Sequence, residues 1–148
     1  MQALGVVGGA QRMEEAVIFN ARVGTAIPAQ DVARARKFYE ETFDLEPTQV
    51  MPDGSAMYEW DAGTGFFVFP SMGKASGDHT QMGMMVDDVD KAVDLMIERG
   101  VTFEQYDFPE MKTDKRGIAD MGGERGAFFK DTEGNLIAVS ELPAEYRS

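Results

Sequence analysis

Few residues in this chain can do covalent or metal chemistry. There is no cysteine, which removes disulfides, thiolate nucleophiles, iron–sulfur clusters and cysteine zinc sites. His79 is the single histidine, so neither a cluster of imidazole ligands nor a relay of two imidazoles can form. It stands in Gly77-Asp78-His79, and its plain reading is a surface loop residue; a general base would have to sit beside a substrate proton. Gln81 carries an amide that can orient a ligand or satisfy a neighbouring backbone group. Tyr58 and Trp60, the latter the only tryptophan, alternate with Met57 and Glu59, and such a pair is either a stacking wall or core. Lys112, Lys115 and Arg116 form a basic cluster in Tyr106–Gly123, a long turn-rich segment of the kind used as a lid. They can attract an anionic group or simply be solvated. Without a metal, catalysis would fall to side chains such as Glu59, Asp61, His79 or Lys112.

Composition narrows the partners. The formal charge is −12, and phosphate-backbone affinity needs clustered Lys and Arg, so neither nucleic acid nor an anionic membrane surface is an expected partner. No apolar run approaches the roughly 18 residues of a membrane span. Met1–Ala10 lacks a basic start and a cleavage site, so no secretory signal is expected and the expected location is the cytoplasm. The 148 residues suit one domain with its own core. Eleven methionines fit an irregular apolar pocket as well as a core.

The elements that would position these residues come in two similar sets. Residues 1–20, punctuated by Gly5, Gly8 and Gly9, read as a separate arm, disordered or packed on a partner. Val23–Pro28 predicts a strand, Asp31 a helix cap, and Val32, Ala35, Phe38, Tyr39 and Phe43 an apolar helical stripe. Thr48–Met51 and Ala56–Trp60 flank the turn Pro52-Asp53-Gly54, and Gly63-Thr64-Gly65 leads into Phe66–Phe69. In the second half Gln81–Val86 predicts a strand with Gln81, Gly83 and Met85 on one face and Met82, Met84 and Val86 on the other. Asp88 caps a helix carrying Val89, Ala92, Val93 and Met96, closed by Gly100. Val101–Tyr106, Ala127–Lys130 and Leu136–Ser140 predict the remaining strands. Asp31 superimposes on Asp88 with an offset of 57 residues, strand on strand. Two copies of a βαβββ unit make an α+β domain, module one over residues 21–74 and module two over 75–148.

The segment IPAQDVARARKFYEETFDLEP, with Phe38-Tyr39 and Asp44-Leu45-Glu46, resembles the first helix region of the vicinal oxygen chelate superfamily, the glyoxalase/bleomycin-resistance/dioxygenase fold. VDDVDKAVDLMIERGVTF and FFKDTEGNLIAVSEL resemble its second module, with Thr132 where the family's ending has proline and Asp44 where glycine is common. The resemblance covers Ala21 to Leu142. It implies two modules forming a cupped mixed sheet with helices on the outer face, commonly completed as a homodimer.

It also implies where a metal would sit: one ligand on the first and one on the last strand of each module. Those slots fall on Gly24, on or beside Val68, on Gln81 and on Ala138. Divalent metals need several oxygen or nitrogen donors at about 2.0–2.6 Å, so the expectation is no metal and no cofactor. The expected function is metal-independent binding or sequestering of a small molecule. A lyase, isomerase or dioxygenase-type enzyme with a non-standard site, and an accessory protein with a vestigial pocket, are the alternatives. The expected ligand contacts are Tyr58, Trp60, Gln81, Met85, Met111 and Lys112, on the concave face that the resemblance gives Gln81, with Tyr106–Gly123 as cover.

Overall fold

A computed structural model describes residues 21–147; the expected arm over 1–20 lies outside the described residues. Strand β1 (Thr25–Ala29) runs to Asp31, whose Oδ1 accepts the Arg34 amide at 3.0 Å and starts helix α1 (Val32–Phe43). This is the capping role expected of an Asp before an apolar stripe. Helix α1 stops at Asp44, in the left-handed region (φ 53°). Three strands follow: β2 (Gln49–Val50), β3 (Ala56–Glu59) and β4 (Gly65–Pro70). They pair in the order β1-β4-β3-β2, with β1 parallel to β4.

The second module repeats the scheme. Strand β5 (Thr80–Val86) leads to Asp88, whose Oδ1 accepts the Lys91 amide at 3.0 Å ahead of α2 (Val89–Glu98). A small hairpin, β6 (Asp107–Phe108) with β7 (Met111–Lys112), precedes β8 (Ala119–Asp120), β9 (Arg125–Lys130) and β10 (Leu136–Glu141). The sheet order is β5-β10-β9-β8, with β5 parallel to β10. The fold is thus α+β, with two βαβββ-like modules.

One expected strand is not formed. Val101 and Phe103 are buried as their spacing predicts, but Val101–Tyr106 makes only a bridge, Phe103 to Phe129. The outer edge of β9 offers a single row of backbone groups. Its far end is taken by β8, which pairs Ala119 with Gly126 and Asp120 with Arg125, so only a bridge's length is left for Phe103. Gly117 permits this arrangement. It sits at φ +92°, and a Cβ there would lie 2.6 Å from the Phe103 Cβ.

Both modules share one core on the helix side, joining Ile27, Tyr39 and Val68 to Phe129, Ile137 and Val139. A polar latch crosses the modules beside it. The Tyr39 hydroxyl donates to Asp131 Oδ2 at 2.6 Å, and the Asn135 amide donates to Asp131 Oδ2 and to the Pro28 carbonyl, each at 2.9 Å. Arg34 Nε donates to Glu133 Oε2 at 2.8 Å, and Glu133 Oε1 accepts the Asp31 amide. Burial by itself would raise the Glu133 carboxyl, but Arg34, the Asp31 amide and Thr132 outweigh it and hold it below the usual carboxylate range.

Candidate functional site

Strand alternation divides each sheet into a helix face and an open face. In β3 and β4 the buried residues are Ala56, Tyr58, Phe66 and Val68. Met57, Glu59, Phe67 and Phe69 therefore point the other way. In β5, β9 and β10 the same division puts Gln81, Gly83, Met85, Phe128, Ala138 and Ser140 on the open face. Cross-strand register aligns them in rows: Ala26, Phe67 and Met57 across the first sheet, and Gly83, Ala138 and Phe128 across the second. A Cβ at Gly83 would meet nothing within 4 Å, and Met85 is 68% exposed.

The rings of Tyr58 and Trp60 turn toward the helix side instead of this face, although Tyr58 borders the cavity there. Tyr58 is 2% exposed, stacks on Phe66 with ring centroids 4.9 Å apart, and donates its hydroxyl to Glu40 Oε1 on α1 at 3.1 Å. Burial pushes its phenol up to about 12. Trp60 packs edge-on to Phe43 of α1 at 5.4 Å. The physical reason is area: two large rings gain far more by joining the helix-side core than would Met57 and Glu59.

Gln81 does lie on the open face, half-buried, with its Nε2 donating to the Ala26 carbonyl at 2.9 Å. It thereby links the β5 edge to the β1 edge where the two sheets meet. Met85 shares its face. Met111 and Lys112 stand apart on the small hairpin, where Lys112 is largely exposed and its Nζ is 3.9 Å from Asp107 Oδ1. The second half of Tyr106–Gly123 is not a cover over Gln81. Arg116 ties it to α2 through Asp90 Oδ1 at 2.7 Å and Asp94 Oδ1 at 3.0 Å, and Ile118 is buried there. At the segment's start Tyr106 packs edge-on against Phe128 at 5.9 Å, with Phe108 stacked on it.

The four metal slots can now be assigned by register. Two residues beyond Gln81, Gly83 pairs with Ala138; two residues beyond Gly24, Ala26 pairs with Phe67. The slot expected on or beside Val68 is therefore Phe67, because Val68 is fully buried against the helices. A Cβ on Gly24 would lie 3.8 Å from the Phe67 ring, so the two are neighbours. Glycine, phenylalanine and alanine offer no side-chain donor. The remaining amide already holds Ala26. This set does not fit a divalent metal.

A second acidic group merits the same test. Carboxylate oxygens of Asp88, Asp90 and Glu141 lie within 4.8 Å of one another. Arg125 and Arg116 grip Asp90 and hold it well below the usual carboxylate range. Glu141 takes Arg147 and the Val89 amide, and Asp88 caps α2. These carboxylates are already engaged, by arginines and by the first amides of α2, whose partial positive charge favours them there.

Sequence reasoning did not single out the cavity on the open face of module one. It has a volume of about 620 Å³ and is bordered by Gly24, Thr48, Met57, Glu59, Thr64 and Phe67, among others. Met57 and Phe67 supply its apolar wall, and Glu59 is its one carboxylate. The signal was present in the alternation of Ala56–Trp60 and Gly65–Pro70, but the choice of face needed the helix.

Comparison with known proteins agrees with this architecture. The model of the Glyoxalase/Bleomycin resistance protein/Dioxygenase superfamily matches residues 22–139. No curated protein matches the chain. Among solved structures, a glyoxalase/bleomycin resistance protein from Catenulispora acidiphila is 22% identical, with TM-score 0.59 over 82% of this chain and 98% of that one. A glyoxalase/bleomycin resistance protein/dioxygenase from Alicyclobacillus acidocaldarius is 19% identical, with TM-score 0.62 over 85% and 94%. The fosfomycin resistance protein FosX from Listeria monocytogenes is 13% identical, with TM-score 0.62 over 86% and 98%. Likeness at these identities speaks for the fold alone. The chain belongs to the Glyoxalase/Bleomycin resistance protein/Dioxygenase superfamily.

Proposed function

We propose that this protein binds or sequesters a small, partly apolar molecule in the cytoplasm without a metal, on the open sheet face, as a homodimer. The observation that carries the reading is the slot set Gly24, Phe67, Gln81 and Ala138, which offers a single amide where a metal needs several donors. Where metal chemistry is missing, affinity comes from apolar area at roughly 25 cal/mol per Å² and a few oriented hydrogen bonds. Met57, Phe67 and Met85 supply the area; the free Oε1 of Gln81 supplies orientation. Met111 and Lys112, on the hairpin that follows Tyr106, would contact a ligand that extends along the second sheet. A second copy laid across the open face would shelter Met57 and Met85, which are 40% and 68% exposed.

One observation favours an enzyme instead, a lyase, isomerase or dioxygenase-type member with a non-standard site. Glu59 stands alone as a carboxylate beside the apolar wall, which is the setting of a general base. Two measurements separate the readings. Elemental analysis of dialysed protein is expected to find well under one zinc, nickel, manganese or iron per chain. Thermal shifts against a metabolite library are expected to find a ligand whose effect survives chelation and is lost in Phe67→Ala. About one metal per chain would overturn the binding reading. Turnover of that ligand, abolished in Glu59→Gln, would establish the enzyme.

A further inference from the structure

A second, smaller cavity lies where the chain passes from one module to the other. Its volume is about 360 Å³, and it shares no lining residue with the cavity over Gly24 and Phe67. That is room for roughly a dozen waters at about 30 Å³ each, the size of a small metabolite. Its wall contains Ser71, Lys74, Ser76, His79 and Gln81. No Asp or Glu is among the lining residues, although the chain carries a formal charge of −12.

The free donors of this wall belong to Lys74, Ser76, His79 and Gln81, while Asn135, also in the wall, carries a buried Oδ1 with no hydrogen-bond partner. Lys74 makes no ion pair among the described residues. Ser76 Oγ accepts the Asp78 amide at 3.2 Å, which leaves its hydroxyl proton free to donate. Gln81 uses one N–H on the Ala26 carbonyl and keeps the second. His79 adds a ring N–H in either tautomer. A further cation packs behind the wall: a Cβ at Gly77 (φ +74°) would lie 3.2 Å from Lys130 Nζ and 3.1 Å from the Gly134 carbonyl. A side chain there would be crowded and strained at a left-handed φ. Lys130 is balanced in part by Glu104, 3.5 Å away.

We propose that this inter-module cavity is a binding site for a small anion-bearing molecule, a carboxylate or phosphate, held by Lys74, His79, Ser76 and Gln81. Charged acceptors receive stronger hydrogen bonds than neutral ones, and clefts lined by one sign of charge concentrate the opposite ion. Gln81 is the only residue this site has in common with the open-face reading. The test therefore runs through Lys74 and His79, which that reading does not use.

The single histidine makes the test direct. In untagged protein the imidazole proton resonances belong to His79 alone, and they can be followed by NMR at fixed pH and ionic strength. Titration with phosphate and, separately, with citrate is expected to give a saturating shift, with sodium chloride as the blank. Saturation by one and not the other assigns the anion class. Lys74→Gln should weaken the apparent affinity about tenfold, the loss of one charge-assisted hydrogen bond, while Lys37→Gln on the α1 surface should leave it unchanged. A linear drift equal to that in chloride would overturn the proposal. So would saturation that is the same in Lys74→Gln.

Discussion

Removing one oxygen from the inter-module latch should cost a measurable part of the fold's stability. Tyr39 is fully buried, and its hydroxyl donates to Asp131, which is 6% exposed. Asp131 Oδ2 also accepts the Asn135 side chain, while its Oδ1 accepts the amides of Glu133 and Asn135 at 2.8 and 2.9 Å. All four acceptor positions are filled, so nothing in the network can turn to replace the phenol. Tyr39→Phe preserves the ring contacts with Phe38 and Phe66 and deletes only the hydrogen bond. A bond to a charged group is worth about 1.5–3 kcal/mol, so we expect a loss of about 2 kcal/mol. With a urea m-value of about 2 kcal/mol/M, the midpoint should fall by about 1 M with m unchanged, at one fixed protein concentration. Asp131→Ala, which strands four donors, should lose more than about 3 kcal/mol. A Tyr39→Phe midpoint within about 0.25 M of wild type would mean that the phenol–carboxylate bond adds nothing over its hydrated alternative. The latch would then rest on its other hydrogen bonds and on packing.

Glu133 should make the fold sensitive to acid. Its folded carboxyl is held below the usual range, so the stability it contributes is present above the unfolded value and is lost as pH falls through the folded one. Urea midpoints should drop on going from about pH 6 to about pH 3, and Glu133→Gln should flatten that dependence while lowering stability at neutral pH. Gly117→Ala places a methyl 2.6 Å from Phe103 Cβ at a left-handed φ, and thermal unfolding should show a loss of about 2–4 kcal/mol. An unchanged melting temperature would refute the close approach.

Much of the architecture was legible because it rests on local rules. Asp31 and Asp88 announced both helices, since a short acceptor before an apolar stripe satisfies the first free amides. The 57-residue repeat announced two modules, and the alternation from Gln81 to Val86 put Gln81 and Met85 on one shared face, which the resemblance made the concave one. The strand expected over Val101–Tyr106 was not formed, because periodicity reports burial and not which backbone edge is free. Faces were harder still. Along Ala56–Trp60 alternation separates Met57 and Glu59 from Tyr58 and Trp60, yet it is symmetric between the two sheet faces. The helix broke that symmetry: Phe43 and Glu40 of α1 receive Trp60 and Tyr58. The same limit left a metal slot on or beside Val68, and the pairing of Ala26 with Phe67 settles it on Phe67. One step along a strand exchanges the two faces, and only the register set by the partner strand fixes which side chain looks outward.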